Sequence, residues 1–166
     1  LQIYKESWIG DWFSNRSQRE EYFEKGQGML REFYKVNKDS LRTPVSLETN
    51  FTVKSGDNLV SGRIDRIDQM DGGKIEIVDY KTGRSKDIIS GDDKEQLLIY
   101  QIAVEQLPEF KNIGQVGRLT YYFLNDNKPV SFLGTESDVA KVAEKISKLI
   151  NKIKSRNFDP TPDKFT

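Results

Sequence analysis

The sequence contains no histidine and no cysteine among its 166 residues. The chain therefore cannot build a Ser-His-Asp triad, a Cys-His nucleophile or a histidine general base. Zinc fingers, disulfides and cysteine-ligated iron–sulfur clusters are excluded because their ligands are absent. Any catalysis must use carboxylates, lysine and hydroxyl groups, which suit a hard cation that prefers oxygen ligands.

The sequence also lacks an excess of charge of one sign and a long apolar run. Lys and Arg number 26 and Asp and Glu number 26, so any contact with nucleic acid must depend on a local cluster of positive charge. No apolar run approaches the roughly 18 residues of a membrane span, and no secretory signal opens the chain. Because cysteine is absent as well, we expect a cytoplasmic protein without a membrane partner.

The length predicts one domain over residues 1–166. The chain starts at Leu1 rather than Met, so we expect it to be a piece of a longer protein. Within it, residues 1–43 are predicted to hold N-terminal helices, residues 44–133 a sheet with one helix, and residues 134–166 a C-terminal helix and an extended exit. This order predicts a mixed α/β fold.

Apolar periodicity and turn residues locate the elements. The second helix is predicted to begin at a capping box formed by Ser17 and Glu20, and the last helix to turn Leu149 and Ile153 inward. Helical periodicity predicts four helices, over 8–13, 17–43, 90–108 and 136–156. Period-two patterns between turn residues predict five strands, over 45–54, 59–70, 74–81, 116–124 and 130–133.

A carboxylate and a lysine stand at the end of the third predicted strand. Four acid-x-Lys triplets occur in the sequence, but only Asp79 and Lys81 end an apolar strand. Because side chains alternate along a strand, these two residues share a face with Ile75 and Ile77. That face is predicted to bury two isoleucines and then to present a carboxylate and an ammonium group.

The turn before this strand decides whether a second acid joins the first. A three-residue loop at 71–73 places Asp65 opposite Asp79 on the same face, whereas a two-residue loop pairs Asp65 with Val78 or Tyr80 on the wrong side. Two facing carboxylates repel each other unless a cation lies between them. We favour the three-residue loop and a magnesium-like ion. The alternative is that both acids pair with nearby cationic side chains on a solvated sheet.

Three motifs in this order resemble the RecB-like branch of the PD-(D/E)xK nuclease superfamily. The likeness covers about residues 26–162 and is nearest to the nuclease domains attached to UvrD/Rep-type helicases. It implies a restriction-endonuclease-like α/β fold, with a mixed central sheet flanked by helices. The motifs are Gly62-x-Ile64-Asp65-Arg66-Ile67-Asp68, Ile77-Val78-Asp79-Tyr80-Lys81-Thr82-Gly83 and Gln96-x-x-x-Tyr100.

The resemblance implies a metal site. Asp65 and Asp79 would bind Mg²⁺ or Mn²⁺ together with the Tyr80 carbonyl, and Lys81 would orient or activate the attacking water. Glu48 matches an acid common in the family and would be a further ligand or would support the ligands; an ordinary exposed strand glutamate is an equal alternative.

The third motif lies on a helix. Gln96 and Tyr100 are one helical turn apart, and the family places this pair beside the active site, where it contacts substrate or positions the lysine. Taken singly, Tyr100 could be a core aromatic residue and Gln96 a solvated polar one.

Four cationic side chains flank the predicted site and could bind phosphates without reading sequence. For each of them, solubility is the simpler explanation. They are Arg63, Arg66, Arg84 and Lys86.

We therefore predict a Mg²⁺- or Mn²⁺-dependent deoxyribonuclease that degrades single-stranded DNA ends as an exonuclease. The resemblance implies that it belongs to a helicase–nuclease of DNA repair or recombination, with the helicase domain in the same or an associated chain. The alternative is a catalytically silent nuclease fold kept for DNA binding or domain docking. A phosphodiesterase acting on RNA is a third reading.

Two departures from the family bear on this choice. Many RecB-like nucleases have a His four residues after a helical Gly, whereas here Gly26 is followed by Leu30, so carboxylates alone hold the metal or only one ion binds. Several relatives continue past a Phe-x-Pro-x-Pro segment into a cysteine cluster, and this sequence has only Phe158-x-Pro160-x-Pro162. Exonuclease or endonuclease mode, polarity, flanking domains and oligomeric state stay open.

Overall fold

The computed structural model describes residues 1–156, so the segment Phe158-x-Pro160-x-Pro162 lies outside the described residues. Its elements follow the predicted order. The helices are α1 (Gln2–Glu6), α2 (Arg16–Asn37), α3 (Glu95–Gln106), α4 (Pro108–Lys111) and α5 (Glu136–Lys154), with a short 3₁₀ turn at Gly91–Lys94. The strands are β1 (Ser46–Ser55), β2 (Asn58–Gln69), β3 (Ile75–Lys81), β4 (Val116–Phe123) and β5 (Lys128–Phe132).

The five strands form one mixed sheet in the order β1-β2-β3-β4-β5. β3 and β4 are parallel, and the other neighbouring pairs are antiparallel. Two parallel neighbours need a long connection, and here the chain makes it through α3 and α4. The predicted α/β class with a mixed sheet flanked by helices is confirmed. Within residues 1–156, no helix combines the length and the apolar character that a membrane crossing requires.

One face of the sheet, here called the front face, packs against α3, and α5 packs on α3 in turn. The side chains at the centre of this core are almost completely removed from water, which is the main source of its stability. β2, β3 and β4 all contribute side chains to this core, and the same core holds α3 against the sheet. The most deeply buried side chains are Ile64, Ile67, Ile75, Ile77, Leu97 and Leu119.

The β2–β3 turn has the predicted three-residue loop. Met70 N–H donates to the Lys74 carbonyl at 2.7 Å, which leaves residues 71–73 as the loop. Gly72 and Gly73 have φ values of 81° and 73°, a conformation that glycine adopts without strain. Ile67 consequently pairs with Ile77, which is the register that a three-residue loop produces.

The N-terminal prediction was wrong in detail. The helix covers Gln2–Glu6 rather than 8–13, because the aromatic residues of the latter segment contact one another without forming a helix. The Trp8 ring lies 5.5 Å from Phe13 and 5.3 Å from Phe23, between ring centroids. Apolar spacing cannot distinguish such an aromatic cluster from a helical stripe.

Two helix boundaries and the inward face of the last helix also differ from the prediction. α2 is capped by Asn15, whose side chain accepts from Gln18 N–H at 2.9 Å, and not by Ser17. Pro108 does not end the helical region but begins α4, because proline fits the first position of a helix. In α5 the predicted inward stripe fails near the end, where Leu149 and Ile153 are 50% and 61% exposed.

The start of α5 generates a stability prediction. The Thr135 side chain accepts from Asp138 N–H at 3.1 Å, and the Asp138 carboxylate accepts in return from Thr135 N–H. Thr135→Ala removes this cap and should lower the free energy of unfolding by about 1 kcal/mol. Chemical denaturation followed by circular dichroism measures the change. Ser137→Ala, an exposed neighbour in the first turn, is the control and should have almost no effect; equal losses in both variants would contradict the capping role.

Candidate active site

The end of β3 presents the predicted acid and lysine on the front face. Asp79 is 2% exposed and follows Ile77, which is completely buried. The Lys81 side chain is 36% exposed, and its ammonium nitrogen lies 2.7 Å from Asp79 Oδ2. On this face, the buried core therefore ends at Ile77 and the site begins two residues later, at Asp79.

Asp65 joins the site by accepting a backbone hydrogen bond from β3. The regular β2–β3 pairing ends at Arg66 and Val78, and beyond it Tyr80 N–H donates to Asp65 Oδ2 at 3.0 Å. The N–H and C=O of one strand residue point toward the same edge. The Tyr80 carbonyl thus points toward β2, on the side of β3 where the Asp65 carboxylate lies.

The contacts of the Asp79 carboxylate only partly replace the hydration that it loses on burial. Its Oδ1 accepts from Gln96 Nε2 at 2.9 Å, and its buried Oδ2 is paired with the Lys81 ammonium group at 2.7 Å. Burial raises the pKa of Asp79; the hydrogen bond and charge of Lys81 oppose this shift, and the Asp65 charge adds to it. A second cation at this point would therefore be favourable.

Gln96 connects the other groups of the site. Its Nε2 donates to Asp79 Oδ1 and, at 2.8 Å, to the Tyr100 hydroxyl, while its Oε1 accepts from Lys81 Nζ at 2.7 Å. One amide therefore fixes the distance between the carboxylate and the ammonium group. Four of the five residues predicted for catalysis, Asp79, Lys81, Gln96 and Tyr100, are thus connected by side-chain hydrogen bonds, and the fifth, Asp65, is attached to β3 through the Tyr80 N–H.

Sequence reasoning missed Tyr121. Parallel pairing places it beside Asp79, and its ring centroid lies 5.1 Å from Lys81 Nζ. Its hydroxyl donates to the Asp93 carbonyl at 2.8 Å, which attaches the start of α3 to β4. The aromatic residue was visible in the predicted fourth strand, but its place beside Asp79 depends on a parallel register that no local pattern reveals.

Glu48 lies in line with Asp65 across β1 and β2, since Leu47 pairs with Arg66 and Thr49 with Ile64. Its backbone is left-handed, with φ of 50°, and its carboxylate pairs with the exposed Arg63 at 2.9 Å. Among residues 1–156, no three acidic side chains form a group that could hold a metal. The structure therefore does not bring Glu48 to the two aspartates.

The predicted phosphate-binding side chains divide between the two faces of the sheet. Arg66 points to the back face, where it pairs with Asp68 at 2.7 Å and its side chain is 12% exposed. This placement contradicts the prediction that Arg66 flanks the site, and strand alternation is the reason, because Arg66 follows Asp65 directly. Arg63 lies near Tyr100 on the front face. Burial raises the pKa of Tyr100, and the positive charge of Arg63 opposes that rise.

Arg84 and Lys86 line a cavity of about 470 Å³ that opens beside Lys81 and Gln96. This cavity lies between the loop at 82–90, the start of α3 and the end of β4. These two cations therefore line the same cavity as two residues of the candidate site.

A sequence model described as the PD-(D/E)XK nuclease superfamily matches residues 3–165. No curated protein matches the sequence. A solved structure titled "Crystal structure of SSO0001" is similar at 22% identity with a TM-score of 0.43, and the alignment covers 80% of this chain and 64% of that chain. This chain thus spans less than two thirds of the length of that structure.

The burial of Asp79 generates a prediction. Because its pKa is raised in the folded state, its contribution to stability is greatest below the unfolded value of about 4 and is lost as pH rises through the folded value. At pH 7, with metals removed by a chelator, Asp79→Asn should therefore raise the urea midpoint of unfolding. The exposed Asp11→Asn is the control and should leave it unchanged. A lower midpoint for Asp79→Asn would mean that the ion pair with Lys81 outweighs the cost of burial.

Proposed function

The chain belongs to the PD-(D/E)XK nuclease superfamily, and on that premise we propose that it hydrolyses DNA phosphodiesters with a divalent cation held by Asp65 and Asp79. Members of this superfamily are usually metal-dependent nucleases. The observation that carries the proposal is the buried Asp79 Oδ2, which is paired with the Lys81 ammonium group at 2.7 Å and shares the front face with the Asp65 carboxylate.

The residues present fit Mg²⁺ or Mn²⁺. The Asp65 and Asp79 carboxylates and the Tyr80 carbonyl supply oxygen ligands only, which hard cations prefer. The Asp79 oxygen that would bind the cation is already removed from water, so that a cation there relieves an existing cost. When bound, such a cation stabilises charge on the scissile phosphate and lowers the pKa of water.

The side chains around the two acids would perform the remaining steps. Lys81 would hold the attacking water or neutralise charge that develops on the phosphate, since no histidine is available as a base. Gln96 would keep the Lys81 ammonium group at a fixed distance from Asp79, because one amide contacts both. Tyr100 would hold Gln96 in the rotamer that does this.

Substrate binding would rest on exposed cations near the site. Arg63, Arg84 and Lys86 would contact phosphates, which fixes the position of the strand without reading its sequence. Glu48 is not included among the ligands, because its carboxylate pairs with Arg63.

We extend the proposal to the biological setting that the motif resemblance implies. The chain would act as an exonuclease on single-stranded ends, within a helicase–nuclease of DNA repair or recombination. A catalytically silent module for DNA binding or docking is the second candidate. The observation in its favour is that, in the described part of the chain, no third carboxylate joins Asp65 and Asp79.

Cleavage of labelled DNA tests the proposal. With Mg²⁺ or Mn²⁺ the protein should degrade a single-stranded substrate, and Asp79→Ala or Lys81→Ala should lower the rate at least roughly a hundredfold. Lys141→Ala removes a positive charge from α5, away from the site, and is the control. If the wild-type protein binds DNA but cleaves it with neither metal, the silent module is correct. If it cleaves RNA faster than DNA, RNA is the substrate.

Metal affinity provides a separate prediction. The Lys81 ammonium group lies 2.7 Å from Asp79 Oδ2, so it competes with a divalent cation for this oxygen. Lys81→Met should bind Mn²⁺ at least about fivefold more tightly, because two unit charges about 4 Å apart repel by ~1 kcal/mol even in water. Asp65→Ala should bind it more weakly. Calorimetric titration without DNA measures both, and weaker binding by Lys81→Met would refute the competition.

A further inference from the structure

The Lys81 ammonium group has a close neighbour besides the carboxylate and the amide that contact it. Asp79 Oδ2 and Gln96 Oε1 each lie 2.7 Å from Lys81 Nζ. The ring of Tyr121 is the further neighbour, with its centroid 5.1 Å from the same nitrogen. Because Tyr121 pairs with Asp79 across the parallel strands β3 and β4, its ring stands on the face that carries the site.

An aromatic ring restrains an ammonium group differently from a third oxygen. The ammonium group of a lysine has three N–H donors at the end of a flexible stem of four carbons. Asp79 and Gln96 occupy two of these donors on Lys81. A third oxygen would occupy the last donor, whereas the face of a ring attracts the whole cation and requires no particular N–H. One N–H therefore stays available for a water or a phosphate oxygen.

The ring of Tyr121 is itself held in place. Tyr121 is 4% exposed and lies on β4, which has a neighbouring strand on each side. Its hydroxyl donates to the Asp93 carbonyl at 2.8 Å, and the Phe123 ring packs 6.3 Å away between centroids. Burial, together with the negative charge of Asp79, raises the pKa of Tyr121, so the hydroxyl remains a donor at neutral pH. The ring is thus a fixed surface against which a mobile side chain can be positioned.

We propose that Tyr121 is a positioning residue, whose ring holds the Lys81 ammonium group beside Asp79 and leaves one N–H free for the reaction. The proposal rests on the proposed nuclease function and assigns to that site a residue that acts only through Lys81. Without the ring, the ammonium group would spend less time beside Asp79, which slows cleavage. It would also compete less with a divalent cation for Asp79 Oδ2, which strengthens metal binding. A general loosening of the fold would weaken both.

Two substitutions separate the ring from the hydroxyl. Tyr121→Phe keeps the ring and removes the hydrogen bond to Asp93, whereas Tyr121→Leu removes the ring. Tyr122→Leu is the matched control, because Tyr122 is the next residue of β4 and is only 9% exposed. Its ring packs against Phe33 and Tyr80 on the back face, away from the ammonium group.

The measurements are steady-state cleavage of single-stranded DNA in saturating Mn²⁺ and calorimetric titration of Mn²⁺ without DNA. Tyr121→Leu should lower kcat about tenfold, as expected for a misplaced group, and change KM by less than about twofold. It should bind Mn²⁺ roughly two- to fivefold more tightly, in line with the loss of one cation–ring contact. Tyr121→Phe and Tyr122→Leu should match the wild type. An unchanged kcat or weaker Mn²⁺ binding in Tyr121→Leu, or an equal loss of kcat in Tyr121→Phe, would overturn the proposal.

A nuclear magnetic resonance measurement without metal or DNA separates this proposal from the nuclease function. The ring current should shift the Lys81 Cε protons upfield in the wild type and in Tyr121→Phe, but not in Tyr121→Leu. This pattern with tighter Mn²⁺ binding, in a protein that never cleaves DNA, would keep the positioning of Lys81 and remove the nuclease function. Cleavage by a wild type without the shift would remove the role of Tyr121 alone. If leucine unfolds the chain, Tyr121→Met replaces it, because methionine fills irregular space without a ring, and the same results are expected.

Discussion

The candidate site depends on a carboxylate that the fold keeps out of water. Asp79 is buried because β3 continues from the core directly into the site, under α3. Removing a charge from water costs free energy unless other charges and hydrogen bonds replace the lost hydration. Gln96 and Lys81 supply these contacts to Asp79, and the ring of Tyr121 lies beside the Lys81 ammonium group. The position of α3 is therefore as important to the site as the two aspartates are.

Local sequence information was sufficient where short-range geometry decides the structure. The glycines at 72 and 73 set the length of the β2–β3 loop, and the loop sets which side chains face each other. Alternation then assigns Asp65 and Asp79 to the face that buries Ile67 and Ile77. This is why the two acids could be placed together from the sequence, while their roles rest on the family resemblance.

Other features depend on contacts that are distant in the sequence. Tyr121 reaches Lys81 only because α3 carries the chain back into a parallel neighbour of β3. The cluster around Trp8 is held by aromatic contacts with α2, so its spacing imitated a helix. Arg66 is a different case, because the alternation that directs Asp65 to the front face directs Arg66 to the back face, where it pairs with Asp68.

The left-handed Glu48 also affects how copies of this chain can meet. β1 is an outer strand of the sheet, and outer strands present unpaired N–H and C=O groups to which strands of other molecules can add. A residue with φ of 50° interrupts this row of groups, and the charged pair of Glu48 with Arg63 lies at the interruption. An outer strand interrupted in this way is a poorer template for strand addition than a regular one.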